Sequence, residues 1–225
     1  MPRIALAAVF VASALGLTPG AGVSALRSAP PNREQIRFNA VDQAAARAAV
    51  LRRVDLGSAG WVGGATKPDL SSTMRCSGYE PRQSDLVLTG AAEADFRRTG
   101  LDVRSAAQVL KTRSMVARDW RRTVVDPRAL ACLRHTVAAQ LRANQRLVSF
   151  RKIAFPRLAR YAAAYRSLIA VQAQGRSVLV AVDVVVVGRS RTELTLTVAV
   201  PAAARASISQ AEVRLARLLL ARARA

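Results

Sequence analysis

Residues 176–200, RSVLVAVDVVVVGRSRTELTLTVAV, read as two β-strands joined by a tight turn, and this reading decides the fold. From 178 to 187 the side chains are apolar and mostly β-branched apart from Asp183. That is the pattern of a central strand covered on both faces. The second strand alternates, with Leu194, Leu196, Val198 and Val200 on one side and Glu193, Thr195 and Thr197 on the other. Gly188-Arg189-Ser190-Arg191 supplies the turn. Loop length sets the parity of the pair. An odd loop puts Val180, Val182 and Val184 beside the leucines and Asp183 beside Glu193 and Thr195; an even loop reverses this. The odd loop is the preferred reading.

The 225 residues suffice for a leader and one well-cored domain, and 51% apolar residues argue against global disorder. Met1-Pro2-Arg3, the apolar run 4–17 and the small residues up to Ala25 form the three regions of a secretory signal peptide. Cleavage is expected after Ala25. The alternative, an uncleaved anchor, has an apolar core of about 14 residues, short for a membrane span. A flexible tether at 26–38 and a single domain at 39–225 complete the organisation. In an oxidising compartment the even pair Cys76 and Cys132 reads as a disulfide; the alternative is two buried thiols that never meet.

The formal charge is +21, carried by 32 arginines and three lysines. Abundant alanine accompanies the arginine, a bias that a GC-rich genome produces without selection for any ligand. The excess is nevertheless uneven: between Arg121 and Arg166 there are eleven basic residues and one acid, Asp126. Arg121, Arg122, Arg128, Arg134, Arg142, Arg146, Arg151 and Lys152 are therefore the candidate face for an anionic partner.

Elsewhere the spacing predicts a helix over 40–54 with Asn39 as its cap, then a glycine-rich break around Trp61, a core or loop anchor. Residues 85–89 read as a short strand and 91–98 as a short helix with Phe96 inward. Ser105-Ala106-Ala107-Gln108 matches a capping box, predicting a helix over 106–120. Asp126-Pro127 starts another, running to about Ala143 and carrying Cys132. Residues 148–155 alternate as a strand ended by Pro156. Residues 158–171 fit a helical period and a period of two, with propensity favouring helix. Ser209-Gln210-Ala211-Glu212 is a third capping signal, for a helix that starts there or a few residues earlier. Its buried stripe is expected to be Ile208, Ala211, Leu215, Leu218 and Leu219, with Arg205, Arg214, Arg217, Arg222 and Arg224 in water.

The segments VDQAAARAAVLRRVDLGSAGW (41–61), CSGYEPRQSDLVLTGAAEADF (76–96), ACL (131–133) and VDVVVVGRSRTELTLTV (182–198) resemble, in their order, a group of exported actinobacterial proteins. More remotely they are similar to the extracytoplasmic sensor domains of mycobacterial receptor kinases. The resemblance implies an α+β fold in which helices pack on a twisted antiparallel sheet of about four to five strands, hairpin 176–200 central. It also implies a ligand cleft and a strand at 158–171. The kinase sensors carry two disulfides, where this chain has cysteines for one. The shared motifs are structural and bring no functional residue with them.

Catalytic signatures are sparse. His135 and Cys132 form a Cys-x-x-His spacing, half of a metal set, without further ligands at matching spacing. No G-x-S-x-G elbow supports a hydrolase, and Gly60-Trp61-Val62-Gly63-Gly64 matches no phosphate-binding fingerprint. No catalytic residue, metal or cofactor is assigned. Asp183 stands out, because a carboxylate inside an apolar strand must be paired. Arg166, Arg189 and Arg191 are the candidates, and Asp183 with Arg166 marks either a structural ion pair or a cleft. The expected function is an exported, non-catalytic, sensor-like binding domain at the cell envelope. Its arginines would meet an anionic cell-wall polymer, a lipid headgroup or a small ligand. A basic nucleic-acid-binding protein and a secreted hydrolase are the alternatives.

Overall fold

The computed structural model describes residues 32–57, 59–70, 74–173 and 175–223; the leader and the start of the tether lie outside them. In chain order the elements are β1 (Gln35–Ile36), α1 (Ala40–Ala48), β2 (Val62–Thr66), β3 (Val87–Arg98), β4 (Leu101–Leu110) and α2 (Arg113–Trp120). They continue with α3 (Pro127–Ala139), β5 (Gln145–Ile153), β6 (Tyr161–Ala173), β7 (Arg176–Arg189), β8 (Thr192–Pro201) and α4 (Arg205–Arg222). The class is α+β, as expected, but the sheet is mixed and has eight strands rather than four or five. Its order is β1-β3-β4-β8-β7-β6-β5, with β2 also on β3, so the β7–β8 hairpin is central. Only the β1–β3 pairing is parallel among the described strands.

The hairpin parity is the reverse of the expectation. Arg189 pairs with Thr192, leaving a two-residue turn in which Ser190 takes a φ of 57°. Two-residue turns with a positive φ match the right-handed strand twist, and here that preference overrides the cost to a non-glycine residue. Asp183 therefore faces Val198, on the side of Ala181, Val185, Val187 and the leucines. That side is buried under α1 and α4 in one large core that includes Leu194, Leu196, Leu215 and Leu219.

Two predicted helices are strands. Residues 91–98 belong to β3, where Ala92, Ala94 and Phe96 alternate inward. The capping-box lookalike at Ser105 lies within β4, where Val103, Ser105, Ala107 and Val109 alternate inward. The helix expected over 106–120 shrinks to α2. In both strands alanine raises helix propensity, while sheet partners on each side reward the period of two. Gly90 lies on this face, and a Cβ there would come within 2.2 Å of the Asp42 carbonyl, so its bareness lets α1 dock.

The 158–171 segment is a strand from Tyr161 onward, within β6, as the resemblance implied. In β5 a register shift between Leu147 and Ser149 precedes the predicted alternation, which then holds. Asn39 caps α1 through Asp42 N–H at 2.8 Å, and Asp126 caps α3 through Arg128 N–H at 2.9 Å. α4 starts at Arg205, after a short 3-10 turn, a few residues before Ser209 as the sequence allowed. Of the tether, 32–38 is tied down: β1 pairs with Val87 and Leu88, and Asn32 Oδ1 accepts from Gln83 N–H.

α2 and α3 lie on the sheet's second face, where Phe150 stacks on Tyr165 and Trp120 meets Tyr161. Cys76 and Cys132 are bonded, with Cα atoms 5.6 Å apart, tying the loop before β3 to α3. Among the described residues no helix is long and apolar enough to cross a membrane.

Candidate functional site

The even parity places Asp183, 1% exposed, beneath α4. A bare carboxylate there would be costly, and guanidinium donors satisfy it from two elements. Arg166, its cross-strand neighbour on β6, donates from Nε and Nη2 at 2.7 and 2.9 Å. Arg205, in the first turn of α4, donates from Nε to the same carboxylate and from Nη2 to Glu212 Oε2 at 2.9 Å. The expected Arg166–Asp183 pair is thus one end of a four-residue chain that runs on through Arg205 to Glu212. Arg205, read as solvated, has a side chain only 15% exposed.

Glu212 is the member that sequence reasoning missed. It was read only as part of a capping box, but it sits seven residues, two turns, after Arg205 and in the buried stripe with Leu215 and Leu219. It is 3% exposed, and its Oε1 has no hydrogen-bond partner among the described residues. Burial, reinforced by the nearby Asp183, pushes its carboxyl up to about 7 against the opposing pull of Arg205. An acidic side chain in a helical apolar stripe was the available signal.

This chain of charges forms one wall of a cavity of about 450 Å³ between α4 and the end of β5. Arg151 stands exposed at its mouth, and Arg166, Arg205 and Glu212 are further lining residues; Lys152 borders it from β5 but pairs with Tyr165, on the opposite face of the sheet. Ile153, Phe155, Pro156 and Val213 supply an apolar side, and Ser209 a hydroxyl. Three arginines, Arg151, Arg166 and Arg205, thus border a space whose nearest acids are Asp183 and Glu212, beside an apolar surface. Such a mixture, a few convergent polar groups against apolar walls, is what small-ligand sites present.

The eight cations singled out from the sequence do not make one face. Arg122 is bidentate on Asp85, at 2.7 and 2.9 Å, and holds that carboxyl below its usual range. Arg128 is spent on Asp126, and its guanidinium lies over the Tyr79 ring. Arg121 and Arg134 are exposed on the α2–α3 side, and Arg142 and Arg146 are exposed around the start of β5. Of the eight only Arg151 and Lys152 border the cavity, and the alternation of β5 turns only Arg151 toward it. Of the arginines expected in water on α4, Arg214 and Arg217 are exposed. Arg222 is instead bidentate on Asp55, at 2.7 Å from each nitrogen.

A second cavity of about 450 Å³ lies near the C-terminal end of α4, with Arg113, Arg160 and Arg189 beside Tyr161 and Leu220. It contains no buried polar group without a partner. On the opposite side of the sheet Glu34, Asp119 and Glu193 crowd together. Burial raises all three carboxyls, and their mutual repulsion adds to the rise for Glu34 and Glu193. Among the described residues no group of three His, Cys, Asp or Glu side chains is placed to hold a metal ion. His135 is exposed on α3, and Cys132 is bonded to Cys76, so their spacing builds no ligand pair.

No protein-family model matches the chain, and no curated protein matches it at a significant level. Among solved structures, it is similar to a Pseudomonas aeruginosa protein of unknown function at 14% identity and a TM-score of 0.27. That match covers 52% of this chain and 70% of the other.

Proposed function

We propose that the protein is an exported, non-catalytic binding domain of the cell envelope that captures a small anionic ligand in the α4–β5 cavity. The observation that carries this reading is the convergence of Arg151, Arg166 and Arg205 on one cavity with an apolar side. A single pocket of this kind supports a small ligand better than an extended polymer, because the remaining cations of the 121–152 segment are dispersed or already paired. Export rests on the leader at 1–25, and the bonded Cys76–Cys132 pair is compatible with an oxidising compartment. The resemblance to extracytoplasmic sensor domains points the same way.

Calorimetric titration of the disulfide-bonded protein with inorganic phosphate, acetate and octanoate tests the binding claim. At least one of these anions should bind, and Arg151→Ala should weaken it about tenfold, as the loss of one charge-assisted contact implies. Equal binding by the variant would remove the cavity as the site. Intact-mass analysis of protein from the culture medium, with and without reductant, tests export. A mass starting after Ala25 that gains two hydrogens on reduction is expected. A cytosolic product that starts at Met1 with free thiols would contradict it.

A further inference from the structure

We infer that the N-terminal corner of the fold, residues 33–47, docks on the surface of an anionic lipid bilayer. Nine large apolar side chains are exposed among the described residues, and three of them, Ile36, Phe38 and Val41, fall within six positions. They are 53%, 42% and 77% exposed, and Phe38 is the one aromatic among the nine. At about 3.8 Å per step, the Phe38 Cα lies within about 8 Å of that of Ile36 and about 11 Å of that of Val41, so the three form one patch. None of them packs against a described apolar cluster, and none lines either cavity. Apolar side chains scattered singly on a surface need no explanation, but a group held together does.

The backbone holds this group in place. Gln35, Arg37 and Asn39 donate their N–H groups to the carbonyls of Leu86, Leu88 and Thr89 at 2.9, 2.8 and 3.0 Å. Bonds at every second residue keep the segment extended and send Ile36 and Phe38 to one side of it. Asn39 then caps α1, whose Asp42 turns inward to Arg191 and whose Gln43 accepts from Ala91 N–H. Ala40, Val41, Ala44 and Arg47 are left facing solvent. The patch is thus already ordered before anything binds it.

Every exposed charged residue from 33 to 47 is an arginine: Arg33, Arg37 and Arg47. Glu34 is half-buried, and Asp42 is buried and paired with Arg191. Apolar side chains among arginines fit a layer that is hydrocarbon below and anionic above, with the guanidiniums reaching lipid phosphates. A second copy of the chain would set arginine against arginine. A folded partner would need a recess or a broad flat area, and side chains projecting from the outer strand of the sheet offer neither; a headgroup layer yields to them. The polypeptide also enters the fold at this corner. Ile36 follows the end of the leader at Ala25 by eleven residues, at most about 40 Å of extended chain, so a bilayer engaged by the leader is met here first. That link rests on export; the patch and its charge do not.

The test is vesicle co-sedimentation of the disulfide-bonded protein without residues 1–25, on phosphatidylcholine vesicles with and without about one-third phosphatidylglycerol, at about 0.1 M salt. Saturable binding to the anionic vesicles is expected. Ile36→Ser with Phe38→Ser and Val41→Ser should weaken it at least about tenfold, and so should Arg33→Gln with Arg37→Gln. Arg214→Gln with Arg217→Gln removes the same charge from the exposed side of α4 and should change it less than about threefold. The indole of Phe38→Trp should shift its emission to the blue on these vesicles. No binding, equal binding by the serine variant, or unshifted emission overturns the inference. Equal loss from the α4 pair also overturns it, by showing that net charge alone draws the protein. Should the serine variant misfold, the Phe38→Trp emission decides. Self-association without lipid that the serine variant abolishes refutes the bilayer as the occupant. These variants leave the residues of the α4–β5 cavity unchanged, so anion binding there stands or falls separately.

Discussion

Replacing Asp183 with alanine should be among the most damaging single changes on the α4 side of the sheet. The carboxylate is 1% exposed and accepts from Arg166 at 2.7 and 2.9 Å and from Arg205. Its removal strands two guanidiniums whose side chains are 19% and 15% exposed. Breaking a buried pair by deleting one partner costs about 3–5 kcal/mol. Here the residual exposure lets water reach the stranded arginines, so about 3 kcal/mol is expected. Asp183→Asn keeps one oxygen acceptor and should cost less, about 2 kcal/mol. Asp183→Leu combined with Arg166→Met should recover much of the loss, because it removes both charges and leaves the Arg205–Glu212 pair in place. Urea unfolding, followed by far-ultraviolet circular dichroism and by the fluorescence of Trp61 and Trp120, gives each value. A loss below about 1 kcal/mol for Asp183→Ala, or a paired variant worse than the single one, would refute the view that this network is a buried, mutually dependent charge chain.

Other outcomes follow from the same structure. The Cys76–Cys132 bond closes a separation of 56 residues, so Cys76→Ser with Cys132→Ser should lose about 4 kcal/mol in urea unfolding under oxidising conditions. Gly90→Ala should cost about 2 kcal/mol or more and loosen α1, read by amide exchange at 43–49, because the added methyl meets the Asp42 carbonyl. Stability should peak near about pH 5 and fall on both sides. On the alkaline side Glu34 and Glu212, raised from 4.5 to about 7, bind more protons folded than unfolded, so stability drops as pH rises through that interval. On the acid side Asp42, held at about 2 mainly by its hydrogen bond from Arg191, and Asp85, lowered by Arg122, lose their contribution as pH falls below about 4. Thermal unfolding across the pH range checks both limbs, and Glu212→Gln should flatten the alkaline one.

The hairpin was legible because nine of its ten residues at 178–187 are apolar, and mostly β-branched, and because its second strand alternates cleanly. Its parity was not, since nothing in Gly188-Arg189-Ser190-Arg191 shows that Ser190 accepts a positive φ. Residues 91–98 and 106–110 were misread for a physical reason. Alanine satisfies helix and strand periods equally, and only the neighbouring strands make the strand the better choice. The Asp183–Arg166 pair was legible from the cost of burying a lone carboxylate. Glu212 left a signal, an acid within the apolar stripe of α4, but its partner Arg205 did not, because that pairing depends on how α4 is seated over the sheet, a long-range property. The eight basic residues were seen as a density along the chain. Folding put Arg122 and Arg128 into ion pairs and turned only Arg151 toward the cavity.

The most direct test of the central claim is to map ligand-induced amide shifts on the isotopically labelled, disulfide-bonded protein with octanoate and with inorganic phosphate. Saturable shifts confined to residues 151–156 and 205–213, the two walls of the cavity, are the predicted result. Shifts centred on α3 or on the cavity near Arg113 and Arg189, or no saturable shifts with either anion, would contradict the account.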